Sequence, residues 1–341
     1  MKPTIRDVAE KAGVSVATAS RVLTGQGYSS ADAQEKVHRA VRELGYVANA
    51  LAQGLVKGQA NTIGVVIPDV INPFFPMLVK EIGAMLLQQH LLMVICNTDE
   101  SIEAEAEFYQ TLGRGQMVSG IIVARSEYPN DVEGNRVLHR LGLEVPLVIL
   151  DRRIATADVV LTDDEDAGFQ AARHLIDLGH QRIAMICGPD GFTFARDRRQ
   201  GYHRAMREAH LTDDISEERV SRLDPYSGSQ CALHLLDQSA PPTAIFAIND
   251  VVALGVLNAA RGLGLTIPRD LSVIGIDDIF VSSLLQTELT TVRLPIAEVA
   301  KLAVSLLLRR IQAKQPVEVS AAQTLRGSLI VRGSTCEMAP R

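Results

Sequence analysis

Polar and aromatic side chains follow several apolar runs of the chain, at positions where a small molecule could be bound. Five such runs occur, at residues 63–67, 92–96, 145–150, 244–248 and 273–276. In open parallel sheets, ligands bind at the carboxyl ends of the strands. If the runs are parallel strands, the residues at or just beyond their ends are Asp69, Asn72, Phe74, Phe75, Asn97, Thr98, Asp151, Arg152, Asn249, Asp250, Asp277 and Asp278.

These side chains offer carboxylate, amide, guanidinium and phenyl groups. Arg196, Arg198 and Arg199 add cations, because they open a helical pattern after the turn at Gly188. Sugar hydroxyls require paired donors and acceptors, and a site built for them rejects analogues that lack them. The set therefore suits a small polyhydroxylated ligand, with a phenylalanine stacking on its ring.

Four of these residues have structural alternatives. Asp250 and Asp278 could cap helices, Phe75 could belong to a hydrophobic core, and Arg152 could form an ion pair between domains. Both interpretations stay open at this point.

The chain lacks the motifs typical of catalysis. It contains no nucleophile elbow, P-loop, H-E-x-x-H or G-x-G-x-x-G motif after a strand. The adjacent acids Asp163-Asp164 and Asp277-Asp278 could suggest hydrolysis, but neighbours in an extended segment point to opposite faces. We therefore expect no catalytic residue, no enzyme activity and no cofactor.

The cysteines give no sign of a metal or redox site. The four of them are far apart in the sequence, without a C-x-x-C pair, at Cys96, Cys187, Cys231 and Cys336. Cys96 and Cys187 lie in apolar runs, which predicts buried free thiols. No metal site is expected.

Residues 4–23 indicate a different chemistry. Thr4 and Asp7 form a capping-box pair that can start one helix, and Ser15 can cap a second. Between them, Gly13 suits a sharp turn because it tolerates positive φ. A third helical pattern follows and is closed by Gly45. This arrangement is typical of a helix-turn-helix, whose second helix lies in the major groove of DNA.

The second helix carries the expected DNA contacts. Val16 and Ala17 open it and can contact a thymine methyl group. Thr18, Ser20 and Arg21 can bond phosphates or bases. The alternative is that Thr18 and Ser20 only cover a solvated helix face.

Three segments, at residues 45–55, 63–75 and 274–278, closely resemble the LacI/GalR family of bacterial transcription regulators. The resemblance covers essentially the whole chain. In that family, paired hinge helices enter the minor groove, and Leu55 matches the leucine that wedges a base step open. The resemblance implies DNA contacts from Thr4, Ser15, Val16, Ala17, Thr18, Ser20, Arg21, Asn49, Ala52 and Leu55.

The resemblance also selects ligand contacts. Arg198, Asn249 and Asp277 match ligand-contacting positions of the family, and Asn72 and Phe74 lie in its Asn-Pro-Phe-Phe stretch. Asp151, from the strand-end rule, completes the predicted set. Several segments look most like ribose-type repressors, which implies a pentose or hexose effector. A disaccharide, gluconate and a purine remain alternatives.

From residue 61 the pattern alternates between strands and helices, and it restarts after residue 160. The predicted fold class is an all-α helix-turn-helix head followed by a two-lobed α/β module like a periplasmic binding protein. The predicted domains are 1–46 (head), 47–60 (hinge) and 61–341 (effector module). The resemblance implies lobes of about 61–160 with 291–322, and about 161–290 with 323–341.

The charge distribution agrees with this division. The net charge is −6, yet residues 1–58 hold 8 Lys/Arg against 5 Asp/Glu, about +3, leaving about −9 for the remainder. A basic head on an acidic body fits DNA contact confined to the head. No signal peptide and no apolar run of roughly 18 residues is found, so a cytoplasmic protein without membrane contact is expected.

These observations predict a ligand-controlled repressor that binds a palindromic double-stranded operator as a homodimer. The C-terminal segment 331–341 has no leucine heptad, which favours a dimer over a tail-made tetramer. A sugar-acting enzyme and a sugar-binding protein without a DNA role are the competing hypotheses. The first lacks catalytic motifs, and the second leaves residues 1–58 unexplained.

Overall fold

The computed structural model divides into two compact units, Met1–Asn61 and Thr62–Arg341. The structure describes residues 3–24, 27–46, 60–114, 117–124, 132–150, 155–189, 191–211, 217–313 and 322–338. The predicted fold class, a helical head followed by an α/β module, is confirmed.

The first unit contains three helices, α1 (Ile5–Ala12), α2 (Val16–Thr24) and α3 (Ala31–Leu44). The predicted capping box is present, with Thr4 as N-cap and Asp7 as its partner. Gly13 and Gly45 end α1 and α3 in the left-handed region, at φ of 64° and 60°. Both glycines were predicted as helix ends, and the local chemistry accounts for both.

The helices of the first unit enclose a small apolar core. Its buried members come from all three helices, namely Val8, Ala9, Ala12, Ala19, Val22, Val37 and Ala40. Ser15 caps α2, since its Oγ accepts a hydrogen bond from the Thr18 amide over 3.1 Å. The inner face of α2 is thereby held against α1 and α3, and its outer face stays exposed.

The second unit contains two six-stranded sheets. Their strands are β1 (Thr62–Ile67), β2 (Leu92–Asn97), β3 (Gly120–Ala124), β4 (Leu147–Leu150), β5 (Asp158–Thr162), β6 (Ile183–Cys187), β7 (Glu217–Arg219), β8 (Ala244–Ala247), β9 (Ser272–Asp277), β10 (Thr290–Arg293), β11 (Gln323–Leu325) and β12 (Ser328–Ile330). The first sheet has the order β11-β5-β4-β3-β1-β2, and the second has the order β12-β10-β9-β8-β6-β7. The strands pair in parallel except β10 with β12.

Helices cover the faces of both sheets. They are α4 (Phe74–Gln88), α5 (Ile102–Arg114), α6 (Val132–Glu144), α7 (Asp164–Asp177), α8 (Thr193–Glu208), α9 (Pro225–Leu236), α10 (Asp250–Gly262) and α11 (Ile296–Gln312). We call the first sheet with α4, α5, α6 and α11 the first lobe. The second sheet with α7, α8, α9 and α10 is the second lobe. Central strands such as β1 and β6 are buried along their whole length, as parallel strands covered on both faces are.

The chain passes between the lobes after β5, after β10 and after β11. The last two passages lie a few residues later than 290 and 322, the positions that the resemblance implied. The strand pairs set these two crossing points, because β10 still pairs with β9 in the second sheet and β11 still pairs with β5 in the first.

Short strands are where the predicted elements and the structure differ most. Strand β7 is only Glu217–Arg219, and β5, β10, β11 and β12 were not predicted. These strands have three to five residues and each contains polar side chains, so no continuous apolar run marks them in the sequence.

Cys96, Cys187 and Cys231 are buried free thiols, and Cys336 is a partly buried one. This confirms the prediction for Cys96 and Cys187. Among the described residues, no helix is both long and apolar enough to span a membrane.

Candidate functional site

A cleft opens between the two lobes at the carboxyl ends of their strands. The empty volume of the cleft, including the part open to solvent at its mouth, is about 630 Å³. The cleft is lined by Asp69, Asn72, Phe74, Phe75, Glu100, Thr162, Asp164, Phe194, Arg198, Leu223, Asn249, Asp277 and Leu294. The first six belong to the first lobe, and most of the others belong to the second lobe.

Arg198 is the buried cation of the cleft, with only 4% of its surface exposed. Its Nε donates to Asp164 Oδ1 over 2.8 Å, and its Nη2 donates to Asp277 Oδ1 over 3.2 Å. Its Nη1 donates to the carbonyl of Ile248 over 2.8 Å. The guanidinium carbon also lies 4.9 Å from the ring centroid of Phe194, within cation–π range. Together these contacts fix the plane of the guanidinium group.

Arg198 reaches Asp164 because α7 and α8 pack backbone to backbone. A Cβ atom at Gly168 of α7 would overlap the carbonyl of Arg198, and a Cβ atom at Gly201 of α8 would overlap the carbonyl of Glu165. Only glycine permits this separation. The glycine contacts therefore set the position of the Arg198–Asp164 pair.

Burial and charge shift the ionisation of this group. Burial raises the pKa of Asp277 to about 6, although Arg198 opposes the shift. Burial by itself would lower the pKa of Arg198, but Asp164 and Asp277 hold that pKa above its usual value. Arg198 is therefore charged at any physiological pH, whereas Asp277 can gain a proton at mildly acid pH.

Asn249 lies between strand β8 and helix α10. It is the N-cap of α10, and its Oδ1 accepts a hydrogen bond from the Val252 amide over 2.9 Å. Because the Asn249 side-chain oxygen accepts this bond, its NH₂ group points away from the helix start. Because Asn249 lines the cleft, its NH₂ group can donate to a ligand there.

The first lobe supplies aromatic surface. Phe74 and Phe75 begin α4 and meet edge to face, with ring centroids 5.3 Å apart. Asn72 is buried, and its Oδ1 accepts from the Phe74 amide over 3.1 Å. Phe75 also packs against the core of the first lobe, so the core alternative for this residue describes part of its environment.

Of the six predicted ligand contacts, the structure brings five to one cleft, namely Asn72, Phe74, Arg198, Asn249 and Asp277. Asp151 lies outside the described residues, as does Arg152. Asn97 instead accepts a hydrogen bond from the Val70 amide, which shapes the loop beside the cleft.

Several lining residues were not singled out from the sequence as ligand contacts. Thr162 is the last residue of β5 and Asp164 lies just beyond it; because the sequence did not predict this strand, the strand-end rule could not select either residue. Phe194 lies four residues before Arg198 on α8, a helical spacing that could have indicated it. Glu100, Leu223 and Leu294 carried no local signal, because only the lobe arrangement brings them to the cleft.

The backbone of the acid pair Asp277-Asp278 is not extended, although an extended segment was expected from the sequence. The two residues have φ of 118° and 54°, in the left-handed region. They do point apart, since Asp277 bonds Arg198 while Asp278 bonds Arg293 over 2.6 Å and Arg332 over 2.5 Å. Asp278 is therefore an ion-pair residue and not a helix cap.

The outer face of α2 presents the residues predicted to contact DNA. Val16, Ala17 and Arg21 are exposed, and Thr18 and Ser20 are half-buried. Arg21 Nε donates to the Ala17 carbonyl over 3.3 Å. Thr4 and Ser15 are exposed at helix starts, where both also act as caps. The predicted hinge contacts Asn49, Ala52 and Leu55 lie outside the described residues.

Comparison with known families decides the identity of the chain. Residues 4–49 match the family model of bacterial regulatory proteins of the lacI family. Residues 172–335 match the model of a periplasmic binding protein-like domain. A ribose operon repressor from Halalkalibacterium halodurans is 36% identical over 335 residues, covering 97% of each chain.

The chain belongs to the LacI family. The repressor PurR of Haemophilus influenzae is 34% identical to it over 333 residues, covering 97% of this chain and 98% of the relative. This LacI-family member is accordingly a DNA-binding transcriptional regulator with a periplasmic-binding-protein-like module.

Two solved structures extend the comparison. The lac repressor dimer bound to operator and an anti-inducer has a TM-score of 0.85, at 30% identity, and covers 98% of this chain and 100% of its own. A LacI family regulator from Enterococcus faecium with bound ribose has a TM-score of 0.71, at 30% identity, and covers 82% of this chain and 100% of its own.

Proposed function

We propose that this protein is a repressor whose binding to a palindromic operator is controlled by a neutral monosaccharide in the cleft. The observation that carries the proposal is the buried group of Arg198, Asp164 and Asp277, with the Asn249 amide beside it. This group combines fixed donors with fixed acceptors, as vicinal hydroxyls require. The rings of Phe74 and Phe194 offer faces for an apolar side of a sugar.

The charge of the cleft supports a neutral effector. Asp69, Glu100, Asp164 and Asp277 face one buried cation, Arg198, among the lining residues. That cation is already bonded to two carboxylates. A sugar acid such as gluconate would meet uncompensated negative charge, so we rank it below ribose or another neutral monosaccharide. The relatives named for ribose agree with this ranking.

A purine is the second effector candidate. Phe74 and Phe75, which meet edge to face, line the cleft and could offer a ring face to a flat base, and one relative is named PurR. The proposal that DNA binding responds to the cleft is the same for both effectors.

For DNA contact we propose the exposed start of α2, with Val16, Ala17 and Arg21 in the major groove. Thr4, Ser15, Thr18 and Ser20 are proposed as flanking contacts. In the hinge, Leu55 is proposed as a wedge in the minor groove, with Asn49 and Ala52 beside it. The protein would act in the cytoplasm, bound to its operator.

A palindromic operator would require a homodimer, and the first lobe offers a surface for one. Strand β2 is an edge of the first sheet, and its residues Leu92, Val94 and Ile95 are 57%, 44% and 46% exposed. An apolar edge strand invites pairing with another chain. We propose that a second copy covers it, which would place two heads on two half-sites.

The test is fluorescence anisotropy of a labelled palindromic fragment from the promoter of the protein's own gene. Protein is titrated at fixed salt, since phosphate contacts make affinity salt-dependent. D-ribose, other neutral monosaccharides, cellobiose, gluconate, hypoxanthine and guanine are then added separately. We expect binding that a neutral monosaccharide changes and that gluconate leaves unchanged.

Two variants separate the parts of the proposal. Arg21→Ala should weaken operator binding without changing sugar affinity, and Asp277→Asn should do the reverse. Response to a purine alone would replace the effector. Absence of binding to any promoter fragment would contradict the assignment of this cleft to operator control.

A further inference from the structure

Behind the cleft, the structure contains a further buried carboxylate, which is not among the proposed ligand contacts. Asp250 follows Asn249 directly and is fully buried. Its carboxylate accepts hydrogen bonds from the Ile279 amide over 3.0 Å, from Ser282 Oγ over 2.7 Å and from Thr291 Oγ1 over 2.6 Å. Asp250 does not cap the helix as its position in the sequence allows, because its hydrogen-bond partners lie on other elements far away in the sequence.

The fold makes room for this carboxylate. Gly275 lies on β9 directly opposite, and a Cβ atom there would overlap Asp250 Oδ1. The glycine is therefore required by the acid, and both belong to one buried arrangement. A charged group is buried in this way only when its partners are in place.

The partners of Asp250 lie on the segment that carries the cleft acid. Residues 277–283 leave β9 through Asp277 and Asp278, at φ of 118° and 54°, and continue into a 3₁₀ turn, Phe280–Ser283. Non-glycine residues keep such a backbone only where their surroundings hold it. The Ile279 amide and the Ser282 hydroxyl bond the Asp250 carboxylate directly after these two residues.

We propose that Asp250 is a positioning residue for effector binding, whose ionised carboxylate holds the 277–283 turn so that Asp277 faces Arg198 in the cleft. This inference rests on the proposed function, because it takes the cleft to be the effector site. Asp250 itself does not contact the effector. It acts through Asp277 on one side and through its chain neighbour Asn249 on the other.

Effector binding should therefore depend on pH. The ionisable group that faces Asp250 from β9 is Asp277, which Arg198 in turn faces from α8. Thr291 of β10 and Ser282 of the turn face Asp250 with hydroxyl groups. Burial, followed by the charge of Asp277, raises the pKa of Asp250 to about 7. Protonation removes acceptor capacity, so effector affinity should fall as pH drops through 7.

The experiment is isothermal titration of D-ribose, then of the other monosaccharides, into the full-length protein from pH 8.5 to pH 6.5. A neutral sugar does not titrate in this range, so the profile belongs to the protein. The dissociation constant of the wild-type protein should rise about fourfold from pH 8.5 to 6.5 if a single group with pKa near 7 controls binding.

Asp250→Asn keeps the shape of the side chain but removes its titration. We expect its dissociation constant at pH 8.5 to be about tenfold higher, because charge-assisted bonds are roughly twice as strong as neutral ones. We also expect it to stay nearly constant across the pH range, because Asp277, with a pKa of about 6, only begins to titrate at the acid end. Asp237→Asn, an exposed change on the same lobe, is the matched control and should keep the wild-type profile.

The outcomes separate the two proposals. If the wild-type protein binds a sugar, and Asp250→Asn either binds it equally well or keeps the wild-type pH profile, this inference fails and the proposed function stands. If the wild-type protein binds no sugar, the neutral monosaccharide fails as the effector and this inference fails with it, whereas operator control by the cleft is decided by the anisotropy experiment. Should Asp250→Asn not fold, Thr291→Val removes one donor to the carboxylate and must move the midpoint to higher pH. An unmoved midpoint overturns the inference.

Discussion

The two lobes contribute different balances of surface to one cleft. The first lobe provides the rings of Phe74 and Phe75 with acids such as Asp69, whereas the second provides the buried ion-pair group of Arg198, Asp164 and Asp277 with one ring, Phe194. A ligand between them would meet more aromatic surface on the first lobe and the buried ion-pair group on the second. Recognition of polar groups would then depend mainly on the second lobe, and recognition of shape mainly on the first.

The lobes also differ in how their helices pack. In the second lobe, Cβ atoms at Gly168 and Gly201 would overlap backbone atoms of the facing helix. In the first lobe, a Cβ atom at Gly83 would lie 2.9 Å from Cε of Met93, the far end of a flexible side chain. Backbone contacts cannot adjust, whereas a methionine can. The α7–α8 packing that positions Arg198 should therefore be more rigid than the packing of α4 at Gly83.

The largest expected effect tests this rigidity. Gly168→Ala should destabilise the protein by about 3 kcal/mol or more, since its new methyl group overlaps backbone. Gly83→Ala is the matched change on helix α4 and should cost less than about 1 kcal/mol, because Met93 can move and alanine favours the helix. Urea unfolding followed by circular dichroism measures both. Equal midpoints for the two variants would remove the difference between the lobes.

The next largest effect compares a buried charge of the second lobe with an aromatic ring of the first lobe. Arg198→Met should raise the dissociation constant for the effector on the order of 100-fold, because Asp164 and Asp277 lose their buried partner. Phe74→Leu keeps apolar surface and should raise it only about 2- to 10-fold. Sugar titration calorimetry checks the pair. A larger loss from Phe74→Leu would assign recognition to the first lobe.

Leu55→Ala should separate the role of the hinge in DNA binding from the role of the cleft in sugar binding. A wedge leucine acts only on bent DNA, so its removal should weaken specific operator binding about tenfold or more. Sugar affinity should stay at the wild-type value, because the cleft is unchanged. Operator anisotropy and sugar titration are measured on the same preparation. Unchanged operator affinity would contradict the wedge.

The smallest effect is a pH dependence confined to the second lobe. Asp277 has a pKa of about 6 when folded and an ordinary value near 4 when unfolded. Between these values the folded state binds more protons, so this contribution to the free energy of unfolding decreases as pH rises from 4 to 6. Asp277→Asn should flatten that decrease. Urea midpoints between pH 4 and pH 6 measure it, and a slope equal to the wild-type slope would contradict the shifted pKa.

The sequence by itself determined the head and the family. Thr4 with Asp7, Gly13, Ser15 and Gly45 act through hydrogen bonds and dihedral angles within a few residues, so their roles could be inferred without a fold. The strand-end rule applied where the strands form continuous apolar runs, and the structure places its selections Asn249 and Asp277 in the cleft.

Only the tertiary structure decided which groups meet. Asp164 bonds Arg198 across 34 positions, and this depends on glycine contacts between α7 and α8. Asp250 looked like a cap in the sequence, yet it is buried among partners 29 to 41 residues away. Such contacts have no local signal, because they form only when separate elements pack together and exclude water from the charges between them.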